Sequence, residues 1–156
     1  MFGFFNSQPF YDVTLGEFWR VRSSWRGMLT LSADIVIPLT LFGNRSGPDS
    51  QALSFAHNFP QDFQRLRPTT AQALFDHYAP YAEAVACAEA LPPANGLPPI
   101  ASPEDVWPYV SPLCVNIEPL GGVLLVELEC DAVWDEEHTL GLRFVDGKFL
   151  ELCGSV

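Results

Sequence analysis

The densest concentration of reactive side chains in this chain lies in one stretch: Glu127, Glu129, Asp131, Asp135, Glu136, Glu137 and His138. Hard cations need several oxygens converging at about 2.0–2.6 Å, and an imidazole adds affinity for transition metals. Asp131, Asp135, Glu137 and His138 supply such a donor set if the segment bulges to bring them together. The spacing matches neither the D-x-[DN]-x-[DN]-G calcium loop nor the H-E-x-x-H zinc helix. His138 beside carboxylates is suited to general-base work near neutral pH, or to ordering a turn by hydrogen bonding. The same residues also read as a solvated strip of negative charge. Such a strip repels itself when unpaired and steers a cationic protein toward it.

Other reactive patterns are missing. No serine sits in a G-x-S-x-G elbow. The pair Gly121-Gly122 is not part of a phosphate-binding G-x-x-x-x-G-K-[ST] loop, so it reads as a turn. His57 and His77 stand beside aromatic residues in helical stretches and read as core or boundary residues. No cofactor is expected.

Strands must hold the acidic segment. Leu124, Val126, Leu128, Cys130 and Trp134 share one parity, and Glu127, Glu129, Asp131 and Asp135 share the other. That alternation predicts a strand with a buried and a solvated face, with Trp134 as a core anchor. Leu140, Leu142 and Phe144 alternate up to Asp146-Gly147, a strong hairpin signal. A two-residue loop pairs Phe144 with Phe149 but sets Leu142 against Glu151. A three-residue loop pairs Leu142 with Leu150 and Leu140 with Leu152, which keeps one face apolar and is the preferred register. C-terminal strands are therefore expected over 113–153, with Gly141 and Gly147 as backbone anchors.

The N-terminal part also reads as strands, about 10–43. Leu29, Leu31, Ala33, Ile35, Ile37, Leu39 and Leu41 keep period two, with a turn at Ser23-Ser24 and a bend or bulge at Ser32-Ala33-Asp34. Pro38 donates no ladder hydrogen bond and points to an edge strand or a bulge. The middle, about 49–90, has helical spacing. Pro60 divides it into helices over about 49–58 and 60–66, and Thr69 with Gln72 forms a capping box that starts a third, bent at Pro80. Residues 92–112 hold seven of the fourteen prolines. Trp107, Tyr109 and Val110 within that loop indicate that it packs against the rest.

At 156 residues the chain fits one domain, 1–156, able to bury its own core. Apolar residues at 48% against 17% charged exclude a disordered chain. The net charge of −11 is uneven: eight acids against six Arg up to residue 89, and eleven acids against Arg143 and Lys148 beyond it. That field repels phosphate backbones and excludes nucleic acid as a partner; a basic protein or a cation matches it. Arg20, Arg22 and Arg26 form a small basic patch suited to pairing within the molecule. Cys87, Cys114, Cys130 and Cys153 form no C-x-x-C pair and, among apolar neighbours, read as free buried thiols. No apolar run approaches the ~20 residues of a membrane helix, and Met1-Phe-Gly-Phe-Phe has no leader pattern, so a reducing cytoplasm is expected.

The run Trp134-Asp135-Glu136-Glu137-His138-Thr139-Leu140-Gly141 resembles a C-terminal W-D-x-E-H-x-x-G signature of uncharacterised bacterial domains. In those domains a helix ending in an aromatic pair such as His77-Tyr78 precedes it, and glycine usually stands where this chain has Thr139. The resemblance covers about 25 residues. It implies no established activity; some similar small acidic domains act as immunity proteins beside bacterial toxins. The expected architecture is α+β: an antiparallel sheet of N- and C-terminal strands with a central helical segment on one face. The expected function is a non-enzymatic acidic module that binds a basic protein. The alternative is metal-dependent chemistry at Asp131, Asp135, Glu137 and His138.

Overall fold

A computed structural model describes residues 8–154. The strands are β1 (Phe10–Asp12), β2 (Gly16–Val21), β3 (Ser24–Ser32), β4 (Ile35–Phe42), β5 (Val110–Leu120), β6 (Val123–Ala132), β7 (Asp135–Val145) and β8 (Lys148–Gly154). They form one eight-stranded sheet in sequence order. Every neighbouring pair is antiparallel except β4 and β5, which run parallel. A parallel pair needs a long crossover. Here helix α1 (Ser50–Ala86) and a short 3-10 helix (Pro103–Tyr109) supply it. The fold is α+β, with the helix packed on one face of the sheet. The N-terminal Met1–Phe5 lies outside the described residues.

The helical segment is one helix of 37 residues rather than the three short ones that its prolines suggest. Asp49 caps it, accepting hydrogen bonds from the backbone N–H of Gln51 (2.9 Å) and Ala52 (3.0 Å). Thr69 and Gln72 form no capping box, because both lie inside the helix; the Gln72 amide donates instead to Asp76 at 2.7 Å. Pro60, Pro68 and Pro80 each remove a backbone donor, at about 3 kcal/mol in a helix interior. Packing overrides them. Ala52, Ala56, Phe59, Phe63, Ala71, Leu74 and Tyr78 form a continuous buried stripe, and each large side chain among them stabilises by about 1.5–3 kcal/mol. The stripe meets Leu39, Leu41, Val115, Ile117, Leu128, Leu142 and Phe144 of the sheet in one core.

Several local expectations need correction. The first hairpin turns at Arg22-Ser23, one residue early, with Val21 opposite Ser24 and Arg22 at φ +58°. The long period-two stretch is two strands, β3 and β4, folded back at Ala33-Asp34 with a bulge between Thr30 and Ser32. Strand β4 lies inside the sheet rather than at its edge. Pro38 faces Met28 of β3, and pairing with β5 begins only at Leu39. The proline-rich segment contains the 3-10 helix, and β5 begins within it at Val110. The segment does pack: Tyr78 donates its buried hydroxyl hydrogen to the Pro98 carbonyl at 2.7 Å, and Val106 is fully buried.

The last hairpin uses the rejected register. Its turn has two residues, Asp146 (φ +49°) and Gly147 (φ +69°), so Val145 faces Lys148 and Phe144 faces Phe149. The face conflict is then removed by a bulge. Leu150 is extruded to solvent, and pairing resumes with Arg143 opposite Glu151 and Leu142 opposite Leu152. One extra residue restores the buried parity.

The face of the sheet away from α1 carries a single row across seven strands: Trp19, Arg26, Thr40, Asn116, Glu127, Arg143 and Glu151. Of the cysteines, all free, Cys130 is buried, Cys114 and Cys153 are half-buried, and Cys87 is exposed, contrary to the expectation of four buried thiols.

Candidate functional site

The acidic segment does not act as one strip. Strand β6 and the β6–β7 turn divide it between two surfaces. Glu127 and Glu129 lie half-buried on the open face of the sheet. They are paired rather than bare. Arg143 donates to Glu127 at 2.6 Å and to Glu151 at 3.1 Å, and the Asn116 amide donates to Glu129 at 2.6 Å. Asp131 is exposed and accepts a long hydrogen bond from the Thr139 hydroxyl at 3.4 Å.

Asp135, Glu136, Glu137 and His138 lie elsewhere. The ladder between β6 and β7 shifts between Cys130 and Ala132, and the chain reverses over Val133 and Trp134, so Asp135 faces Ala132. Residues paired across that two-residue turn share a face, so Asp135 lies on the buried side with Ala132, and the extra residues of β7 that follow return Leu140 to pairing with Cys130. Asp135, expected on the solvated face, is 7% exposed, next to Trp134 at 2%. A carboxylate buried this deeply must be hydrogen-bonded. The Tyr81 hydroxyl donates to its Oδ2 at 2.8 Å, and His138 Nδ1 lies 2.9 Å from its Oδ1. The backbone N–H of Glu137 bonds to it as well. Burial alone would push the Asp135 carboxyl up, but these hydrogen bonds outweigh burial and hold it below the usual carboxylate range. It is therefore ionised near neutral pH, and His138 Nδ1 carries the proton of their shared bond.

Two further residues complete the site. Helical spacing of four sets His77 and Tyr81 on one face of α1, toward the turn. Trp134 donates its indole N–H to His77 Nδ1 at 3.0 Å, and its ring meets Tyr78 edge-on with centroids 5.5 Å apart. That bond requires His77 Nδ1 to be an acceptor, so the neutral ring carries its proton on Nε2, 3.7 Å from Asp135 Oδ2. Burial pushes the His77 pKa down; Asp135 opposes the shift and His138 reinforces it. Burial, then the Asp135 carboxylate, push the Tyr81 hydroxyl up to about 12. Trp134 thus anchors the turn from inside and fixes the tautomer of a neighbouring histidine.

Tyr81, Trp134, Asp135 and His138 border a groove of roughly 490 Å³ between the end of α1, the proline-rich segment and the turn. Its walls are Pro80, Tyr81, Val85, Leu91, Pro92, Pro93 and Leu97, with Trp134 in the floor. Asp135, Glu136, Glu137 and His138 edge it. The described lining contains no Ser, Thr, Cys, Lys or Arg. Tyr81, the one hydroxyl, is pinned to Asp135 and is a poor nucleophile at a pKa of about 12. The four residues expected to share a metal do not converge: among the described residues no group of three or more His, Cys, Asp or Glu is placed to hold an ion.

His77 and Tyr81 were not foreseen as site residues. Their spacing was visible, but nothing in the sequence says that their end of α1 lies against the β6–β7 turn. Gly141 is buried on β7 and Gly147 forms the β7–β8 turn, each away from the groove lining. Among the described residues, no helix is long and apolar enough to cross a membrane. A comparison with curated proteins and one with solved structures found no match. The profile of a family described as Domain of unknown function (DUF6985) matches residues 12–155, and the chain belongs to that family.

Proposed function

We propose that this chain is a non-enzymatic binding module whose groove receives a cationic side chain of a basic protein partner. One observation carries the reading: an apolar-walled groove of roughly 490 Å³ is edged by Asp135, Glu136 and Glu137 and lined by no positive side chain among the described residues. Lys and Arg bury their aliphatic stems on apolar surface while the charged head seeks carboxylates. The excess of acids beyond residue 89 would steer such a partner to this half of the molecule. An immunity-type role against a basic bacterial toxin fits the same chemistry and the resemblance of the Trp134–Gly141 run.

Association of a Lys- and Arg-rich peptide should slow by about ten-fold or more between roughly 0.05 and 0.3 M salt. A salt-independent rate would contradict the reading. The metal-dependent alternative forecasts something else: zinc, manganese or calcium should raise the melting temperature, and Asp135→Asn or His138→Ala should abolish the rise.

A further inference from the structure

Resting on the cation-binding role proposed above, we infer that the groove selects arginine over lysine, with Tyr81 as the platform on which the guanidinium stacks. Asp135 is closed to a ligand. It is 7% exposed, and it already accepts from Tyr81, His138 and the Glu137 backbone N–H. The open carboxylates are those of Glu136 and Glu137. Both residues are exposed, and neither side chain has a hydrogen bond or ion pair among the described residues. His138 carries its proton on Nδ1, toward Asp135, so its Nε2 is a further acceptor.

Two aromatic residues, Tyr81 and Trp134, enter the lining. Trp134 is 2% exposed, so its ring serves the core rather than a ligand. Tyr81 is half-buried and fixed at two points. Its hydroxyl donates to Asp135 at 2.8 Å, and its ring rests against His77 with centroids 5.4 Å apart. After burial and Asp135, the Glu137 carboxylate also pushes the Tyr81 hydroxyl up, so that carboxylate stands near the ring.

An aromatic face beside a free carboxylate suits a planar cation. A guanidinium lies flat on the ring while its in-plane N–H groups donate to Glu137 and to His138 Nε2. An ammonium is compact rather than planar and holds its water more tightly, so it costs more to bring between apolar walls. Methylated lysine fits no better, because a quaternary ammonium is held by a cage of several rings and this lining opens one.

The test titrates the isotopically labelled full chain by nuclear magnetic resonance. Three short peptides of Gly and Val differ only at one central residue: arginine, lysine, or citrulline, the neutral isostere of arginine. The arginine peptide should bind at least about ten-fold more tightly than either of the others. Arginine and lysine peptides that bind within about three-fold of each other overturn the inference and leave the cation-binding role standing. An arginine peptide no tighter than the citrulline one defeats the cation-binding role itself, and the inference with it. These comparisons need no variant, so they decide the selection whether or not a substitution at Tyr81 folds. Tyr81→Leu should narrow the arginine-to-lysine ratio to below about three-fold, while Tyr81→Phe, which keeps the ring, should retain most of it. A folded Tyr81→Leu variant with the full ratio, or a Tyr81→Phe variant as indifferent as Tyr81→Leu, overturns Tyr81 as the platform.

Discussion

Replacing Asp135 by Asn isolates what the charge at the centre of the site contributes. The side chain keeps its shape and stays among the same partners. Tyr81 can still donate to the amide oxygen, at the 2.8 Å now seen to Oδ2. The amide nitrogen must then face His138, whose Nδ1 lies 2.9 Å from Oδ1. The histidine side chain is 44% exposed, so it can change tautomer and accept from the amide rather than leave a buried donor unpaired. What disappears is the charge assistance of the bonds to Tyr81 and His138 and of the bond from the Glu137 backbone N–H. A bond to a charged group contributes about 1.5–3 kcal/mol against about 1 for a neutral one, so the loss should be about 1–3 kcal/mol. For a chain of this size that lowers the melting temperature by roughly 2–10 °C.

The pH dependence sharpens the test. Asp135 has a folded pKa below its unfolded value, so its contribution is fully present above the unfolded pKa of about 3.9 and is lost as pH falls through the folded one. Thermal unfolding by circular dichroism should separate wild type from Asp135→Asn by a constant gap between about pH 6 and 8, closing below about pH 4. A gap under 1 °C at pH 7, or one that persists unchanged at pH 3, would refute the reasoning.

Trp134→Phe should lose about 1–3 kcal/mol by leaving His77 Nδ1 without its donor, whereas Trp134→Ala should lose about 3–5 kcal/mol by also emptying a site now 2% exposed; chemical denaturation distinguishes them, and equal losses would deny the hydrogen bond a role. His77 has a folded pKa below the unfolded value of about 6.5, so the unfolded state takes up the proton first and stability should fall as pH drops below 6.5; His77→Gln should flatten that part of the curve. Native-state alkylation should modify exposed Cys87 first and Cys130 last, since burial pushes the Cys114 thiol up to about 11 and Cys130 to about 12, and mass spectrometry after unfolding should find all four modified. Gly147→Ala should destabilise by about 1 kcal/mol, because φ +69° disfavours any Cβ and the added atom meets the Asp62 carboxylate at 3.3 Å.

The periodicity of β3, β4 and β6 made the sheet and its buried face legible, and Trp134 proved as buried as its parity required. Turn positions and bulges were the main source of error, because each resets which face every later side chain takes. The two-residue turn at Val133-Trp134 pairs Asp135 with buried Ala132 and so took it from the expected solvated face into the site, and the extrusion of Leu150 made a two-residue turn compatible with an apolar face. Neither has a local sequence marker of its own. The helix was misread for a different reason. Pro60 and Pro68 are strong local breakers, but the stripe from Ala52 to Tyr78 buries enough apolar surface to hold the backbone together across them. The pairing of His77 and Tyr81 with Asp135 joins residues more than fifty positions apart, and depends on which end of α1 meets the β6–β7 turn.

The most direct measurement compares two variants of equal charge. Glu136→Gln with Glu137→Gln removes two carboxylates from the groove, and Glu118→Gln with Glu151→Gln removes two from outside its lining. Fluorescence anisotropy with a labelled Lys- and Arg-rich peptide then reads affinity at fixed ionic strength. The groove variant should bind about ten-fold more weakly than wild type, while the outlying variant should lose no more than about three-fold from the change in net charge. Equal losses in the two variants would mean that the peptide senses only overall charge, and would contradict a binding role for the groove.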